Sequence, residues 1–261
     1  MAEITDQKHR VVDQFSQQAA GYSRLTSGLA SGDRQAAFRR LAGLRPDDLM
    51  LDACCGNGVL TLDCAPHVAR AIGLDLTPAM LEQAGMAQAA KGIGNVDWMV
   101  GDVSALPFDD NAFSLITCSS AFHHLSDPVV ALGEMVRVCR SGGRVVVRDV
   151  TPAPAKSAAY DRMEILRDPS HVHALTPDEL RNLGRGLPVD DPVLYSSIAA
   201  DLSLDAVLAT SFPQECSLQD IRGMFLADAL SGEDQLGFSA TLVEGEIKVS
   251  YAMTTAIWHK R

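Results

Sequence analysis

The stretch Met50-Leu51-Asp52-Ala53-Cys54-Cys55-Gly56-Asn57-Gly58-Val59-Leu60 constrains this chain more than any other. An apolar run leads into it from Leu49 and a helical pattern leaves it, so it reads as a buried strand, a tight loop of small residues and a helix start. Gly56 and Gly58 permit positive φ at no steric cost and let the backbone approach a ligand that a β-carbon would strike. A carboxylate closes the next strand, Ile72-Gly73-Leu74-Asp75, 17 residues beyond Gly58. That is about the offset at which a dinucleotide-type fold places the acid that binds ribose hydroxyls. The loop lacks the third glycine of a Gly-x-Gly-x-x-Gly fingerprint, with Thr61 in its place, and it lacks the Lys-Ser/Thr ending of a phosphate loop. Asp52 at the loop entrance would repel pyrophosphate and suits a ligand with a cationic amino acid and no phosphate. A nicotinamide oxidoreductase therefore ranks last.

From Asp48 onward strand and helix patterns alternate. Strands are expected at Leu49 to Ala53, Ala71 to Asp75, Val96 to Gly101, Phe113 to Cys118 and Arg144 to Val150, with helices opening at Gly58, Thr77-Pro78 and Asp127-Pro128. Thr or Asp before Pro is a strong helix start, because proline lacks an amide that would be unpaired there anyway. After Pro128, the residues Leu132, Met135, Val136 and Cys139 make a core-facing stripe. Such alternation implies an α/β fold with a mostly parallel sheet, helices on both faces, and a ligand at the carboxyl ends of the strands. Beyond Val150 the chain breaks at Thr151-Pro152-Ala153-Pro154 and again at Asp168-Pro169-Ser170, and a capping box opens a helix at Thr176. A strand near Val193 to Ile198, an N-capped helix from Ser217 and a last alternating strand through Ile247, Val249, Tyr251 and Met253 complete the pattern.

The glycine-loop segment resembles motif I of class I S-adenosylmethionine-dependent methyltransferases, hydrophobic-Leu-Asp-x-Gly-Cys-Gly-x-Gly, with Cys54 in place of the first glycine. The likeness runs on through Gly101-Asp102-Val103-Ser104-Ala105-Leu106-Pro107-Phe108 and through Ser119-Ser120-Ala121-Phe122-His123-His124-Leu125. Leu132 to Gly143 is similar to the family's helix and Pro-Gly-Gly turn, with Ser141 replacing the proline. These motifs resemble the small-molecule branch that contains the ubiquinone/menaquinone-biosynthesis enzymes. The family's Phe-Asp before the fourth strand is Phe113-Ser114 here, so any structural role of that acid is missing or moved.

The resemblance implies a Rossmann-like single domain over 1-261 with a seven-stranded sheet. It would comprise an N-terminal helical lid (1-45), a cofactor-binding core (46-150), an acceptor cap between strands 5 and 6 (151-188) and the rest of the sheet (189-261). It implies S-adenosyl-L-methionine over Asp52, Ala53, Cys54, Gly56, Asn57 and Gly58, with Asp75 on the ribose and Leu76 and Met80 walling the adenine. Asp102 would accept from the adenine amino group, the Val103 amide would donate to a ring nitrogen, and Gly101 and Ser119 would complete the wall. Phe15, Ala19 and Tyr22 match a lid helix that closes over the cofactor, the alternative being an amphipathic helix packed on the sheet edge. His123, His124 and His171 are candidates for a general base, each against a structural or solvent-exposed role, and Arg148 or Asp149 is a candidate to meet the acceptor.

The implied function is a methyltransferase acting on a small molecule, with O-, C- or N-methylation open. The alternative is a protein of this fold that binds the cofactor but catalyses another reaction or serves as a partner. A formal charge of −11 argues against a nucleic-acid partner. No apolar run approaches the ~20 residues a membrane span needs. The six cysteines show no metal-ligand spacing and read as thiols in a reducing cytoplasm, and no metal is expected. A homodimer is compatible with the sequence but not derivable from it.

Overall fold

The structure is a computed structural model that describes residues 6–19 and 34–261, and the backbone of its first two helices runs over Ala2–Leu29 (α1) and Gly32–Ala42 (α2). Tyr22 lies outside the described residues. Five parallel strands follow: Leu49–Ala53 (β1), Arg70–Asp75 (β2), Val96–Val100 (β3), Phe113–Ser119 (β4) and Cys139–Val150 (β5). Between them run Val59–Cys64 (α3), Pro78–Lys91 (α4) and Pro128–Val138 (α5). The chain continues through Ser157–Arg167 (α6) and Pro177–Asn182 (α7) to Val193–Ser203 (β6). Leu204–Leu208 (α8), Leu218–Ser231 (α9), Thr241–Val243 (β7) and Glu246–His259 (β8) close it.

The sheet has eight strands among the described residues, not the expected seven. Its order is β3-β2-β1-β4-β5-β8-β6, and the short β7 pairs with the start of β8. The pairing partners of β8 are antiparallel to it: β5 across Arg144↔His259 to Val150↔Met253, β6 on its other edge, and β7 as a hairpin through Glu244-Gly245. The extra strand arises because β8 is 14 residues long and outruns β5, leaving its first residues to pair locally.

The apolar runs explain the core. Leu115-Ile116 and Val145-Val146-Val147 are buried on both faces, as central parallel strands must be. One cluster packs Leu51, Ile116, Val145 and Val147 under α5, whose Leu132, Met135 and Val136 and the following Cys139 are all buried. The other face packs Phe38, Met50, Leu115 and Val146 under α2 and α3. A third cluster, around Phe225 and Phe238, packs α6, α8 and α9 against the first half of β8. The expected turn at Ser141-Gly142-Gly143 is instead an irregularity inside β5. The register jumps from Phe113↔Cys139 to Leu115↔Arg144, and Gly142 takes φ 71° in the displaced loop.

The acid missing after Phe113 has moved. Ser114 Oγ donates to Asp48 Oδ1 at 2.7 Å, and Arg144 completes the buried cluster with a 2.5 Å ion pair to the same carboxylate. This ties the starts of β1 and β4 to the middle of β5, at the end of the sheet opposite the strands' carboxyl ends. Among the described residues no helix is long and apolar enough to cross a membrane.

Candidate active site

A cavity of about 660 Å³ opens at the carboxyl ends of the strands, beneath α1 and α2. The loop after β1 enters it with Cys54 at φ 58°, Gly56 at φ 54° and Gly58 at φ 75°. Cys54, standing at the usual glycine, therefore holds a left-handed conformation that costs a side-chain-bearing residue about 1–2 kcal/mol. Cys54, Gly56 and Asn57 line the cavity. Nothing lies within 4 Å of a β-carbon built on Gly56, so that glycine leaves open space. Gly58 takes the expected positive φ, but what its missing side chain makes room for is the Trp98 ring, 2.4 Å from a β-carbon built there, and not a ligand.

Two expected ligand residues lie beneath the loop and do not line the cavity. Asp52 is 1% exposed, and both its oxygens are taken, by Thr61 Oγ1 at 2.5 Å and Thr117 Oγ1 at 2.7 Å. Burial raises its pKa to about 6, against the pull of those two hydroxyls. Ala53 is fully buried in the same layer. The acid at the loop entrance braces α3 against β4 and does not face the cavity as the sequence suggested.

Asp75 does reach the cavity. Its Oδ2 accepts from the Gly56 amide and its Oδ1 from the Thr77 amide, each at 2.8 Å, so it ties the glycine loop to the start of α4. Burial raises its pKa, partly offset by those amides. A carboxylate has about four acceptor sites, so capacity remains on both oxygens. Leu76, Met80, Gly101 and Val103 line the same wall. Gly101 has a packing reason as well, since a β-carbon there would meet Leu74 at 2.7 Å. Asp102 is engaged by a residue that no motif pointed to: Lys8, on α1, lies 2.5 Å from its Oδ2. Burial would raise the Asp102 pKa, but Lys8 and the Ser104 amide hold it below the usual range.

The histidines separate into three environments. His123 lines the cavity, and its Nδ1 lies 2.6 Å from Asp149 Oδ1. Burial disfavours the charged ring, but the carboxylate beside it outweighs that and raises its pKa. Asp149 is 2% exposed and fixed further by the amides of Phe122 and Val150, both at 2.7 Å. His124 also lines the cavity, yet burial and the neighbouring His123 push its pKa down to about 4, and its Nδ1 meets the Ser170 carbonyl at 3.0 Å. It is a wall residue with Phe15 edge-on at 5.1 Å. His171 does not line the cavity and is no exposed turn residue either: it is 5% exposed, with Nε2 bonded to Asp161 at 2.8 Å. His173 takes the other oxygen of Asp161.

Ser119 and Arg148 meet at the ends of β4 and β5, where Arg148 Nε donates to Ser119 Oγ at 3.0 Å. The described part of α1 is tied down by Gln7, whose Nε2 donates to the carbonyls of His124 and Ser170, and by Gln18, which donates to Asp168. Neither glutamine had a signal in the sequence, because both act through partners more than 100 residues away.

Residues 51–147 match the methyltransferase domain family. Over 160 residues the chain is 35% identical to the uncharacterized methyltransferase YcgJ of Bacillus subtilis, covering 60% of this chain and 63% of that one. Over 161 residues it is 35% identical to the ubiquinone/menaquinone biosynthesis C-methyltransferase UbiE of Roseobacter denitrificans, covering 58% and 64%. The chain thus spans a little under two thirds of these curated relatives. The crystal structure of Bacillus subtilis YcgJ superimposes with a TM-score of 0.75 over 88% of this chain and 99% of that chain at 24% identity, a likeness of fold. The chain has the Rossmann-like class I methyltransferase fold, its residues 51–147 match the methyltransferase domain family, and in sequence it resembles methyltransferases of quinone biosynthesis.

Proposed function

We propose that this chain is an S-adenosylmethionine-dependent methyltransferase acting on a small organic molecule. The observation that carries the reading is the convergence of the β1, β2 and β3 loop residues Gly56, Asp75 and Asp102 on one cavity, with spare acceptor capacity at Asp75 and open space over Gly56. Those features fit an adenosine carrying a cationic amino acid. Asp75 would receive the ribose hydroxyls, Asp102 and the Val103 amide the adenine, and Leu76 and Met80 its faces. Cys54, Gly56, Asn57 and Ser119 would border the methionine tail. Gly101 would complete the wall beside the adenine, and Asp52, Ala53 and Gly58 support that surface from behind. We assign α1 and α2 as a lid and residues 151-188 as an acceptor cap.

When bound, S-adenosylmethionine supplies an activated methyl group, so the protein's main task is to hold donor and acceptor in line. His123 is the general base. Its Nδ1 is committed to Asp149, which fixes the tautomer with Nε2 free of hydrogen and able to take a proton from the acceptor. His124, kept neutral, and His171, held by Asp161, shape the wall. The acidic chain disfavours nucleic acid as acceptor, and six free cysteines suit a reducing cytoplasm.

Calorimetry with S-adenosylhomocysteine, followed by acceptor screening with release of S-adenosylhomocysteine as the readout, tests this. Micromolar binding and turnover on a small acceptor support it. Absence of binding overturns it, and binding without turnover on any acceptor favours a non-methylating role.

A further inference from the structure

Arginines in this fold are paired almost wherever they are shielded. Arg39 meets Asp63, Arg137 meets Glu134 and Asp110, Arg144 meets Asp48, and Arg167 meets Glu164. Three arginines line the cavity, and of these Arg167 is neutralised by its glutamate. The other two, Arg34 and Arg148, make no ion pair among the described residues, in a chain with an excess of carboxylates. Arg148 is half-buried, with Nε on Ser119 Oγ and its guanidinium carbon 4.9 Å from the centre of the Phe38 ring. Its acidic neighbours are committed elsewhere, Asp52 to Thr61 and Thr117 and Asp149 to His123. Arg34 reaches the Ala200 carbonyl of β6 at 3.4 Å. A shielded cation without a counterion is costly unless a ligand supplies one.

The position of the pair in the sheet says which ligand. The loop residues proposed to hold the cofactor come from β1, β2 and β3. Arg148 closes β5, two strands from β1 in the order β3-β2-β1-β4-β5-β8-β6, and Arg34 bonds to β6 at the far edge. With neighbouring strands about 4.8 Å apart, β5 lies roughly 10 Å from β1. Consecutive strand residues point to opposite faces, so Arg148 and Asp149 leave β5 on different sides, and it is His123, from the loop after β4 and held by Asp149, that lines the same cavity as Arg148.

We propose that Arg148, assisted by Arg34, binds a carboxylate of the acceptor, so that the substrate class is a small organic acid presenting its reactive hydroxyl or carbon to His123. This rests on the methyltransferase reading above. An arginine and a carboxylate make two parallel charge-assisted hydrogen bonds, which selects the acid over its uncharged amide by more than size or shape can.

The test uses the full chain saturated with S-adenosylhomocysteine, titrated with three acids and their amides: 4-hydroxybenzoate, 4-hydroxyphenylacetate and 1-hydroxy-2-naphthoate. At least one acid is expected to bind about tenfold or more tightly than its amide, from the strength of a charge-assisted bond. Arg148→Met should erase that preference, Arg148→Lys should keep part of it, and Arg34→Gln should weaken it. S-adenosylhomocysteine affinity should stay within about twofold in all three variants, against that tenfold effect. No acid-over-amide preference in any pair, including no binding, overturns the proposal. So does an Arg148→Met variant that loses S-adenosylhomocysteine as strongly as the acid, since the guanidinium would then serve the cofactor's own carboxylate. If the parent chain fails to bind S-adenosylhomocysteine, the underlying methyltransferase reading falls first, which distinguishes the two failures.

Discussion

Asp75→Asn separates the observed job of one carboxylate, tying the glycine loop to α4, from its proposed one, holding a ribose. In the parent each oxygen accepts a buried or half-buried backbone amide, from Gly56 and from Thr77, both at 2.8 Å. Asparagine offers one oxygen and one NH₂, so in either orientation one of those amides faces a donor. That unsatisfied group costs about 1–3 kcal/mol of stability. The variant also loses one charge-assisted acceptor for a ribose hydroxyl, about 1.5–3 kcal/mol, which is roughly a 10- to 150-fold weaker affinity. Urea melts measure the first effect and calorimetry with S-adenosylhomocysteine the second. A 2′-deoxy analogue isolates the hydroxyl: the parent should distinguish it from S-adenosylhomocysteine strongly, and the variant much less. An Asp75→Asn variant that binds S-adenosylhomocysteine as the parent does, within about twofold where the expected effect exceeds about tenfold, refutes the assignment of Asp75 to the ribose.

Four further outcomes follow from the same geometry. Asp52 has a folded pKa near 6 against an ordinary 3.8, so its stabilising contribution is present in acid and is lost as the pH rises through that interval, by about 3 kcal/mol. Asp52→Asn, hydrogen-bonded by hydroxyls that can donate or accept, should therefore gain on the parent in urea melts between about pH 4 and about pH 7, and a constant difference would contradict this. Asp149→Asn removes the carboxylate that raises the His123 pKa, so the acid limb of the kcat–pH profile should move to lower pH and kcat should fall, while S-adenosylhomocysteine affinity holds. Gly58→Ala adds left-handed strain to a clash with Trp98 and should cost about 2–5 kcal/mol in urea melts. Gly56→Ala, with open space around it, should cost only the backbone part, about 1–2 kcal/mol, and act mainly on cofactor affinity.

The parallel core was legible because its signals are local. Asp127 caps α5 through the Val129 and Val130 amides, and the Leu132-Met135-Val136 stripe is buried as its spacing requires. Asp75 could be placed at the cavity from its strand end, whereas His123 was one of three histidines that the resemblance offered. What the sequence did not show depends on depth and on distant partners. Nothing in Asp52 reveals that it faces Thr61 and Thr117 and not the cavity. Nothing in Gly58 reveals Trp98, 40 residues on, as the reason for its missing side chain. Lys8 reaches Asp102 only because α1 folds back over the strand ends, a tertiary fact without local signature. The eighth strand was missed because the count of seven came from the family resemblance, and the three-residue β7 is too short to carry an alternation of its own.

Trp98 sits on β3, the outer strand of the sheet, with its ring against both Gly58 and Gly73 and its Nε1 donating to Gln88 at 2.6 Å. A β-carbon on either glycine would come within 2.4 Å of that ring. The indole therefore fills the space that a side chain on either glycine would need, with Ala84 Cβ and Cys55 Sγ as second walls 2.9 Å from the β-carbon sites of Gly58 and Gly73, and a smaller residue at 98 opens a void under the glycine loop. The shape of the loop is thus governed from the rim of the sheet, by a side chain that need never touch what the loop holds.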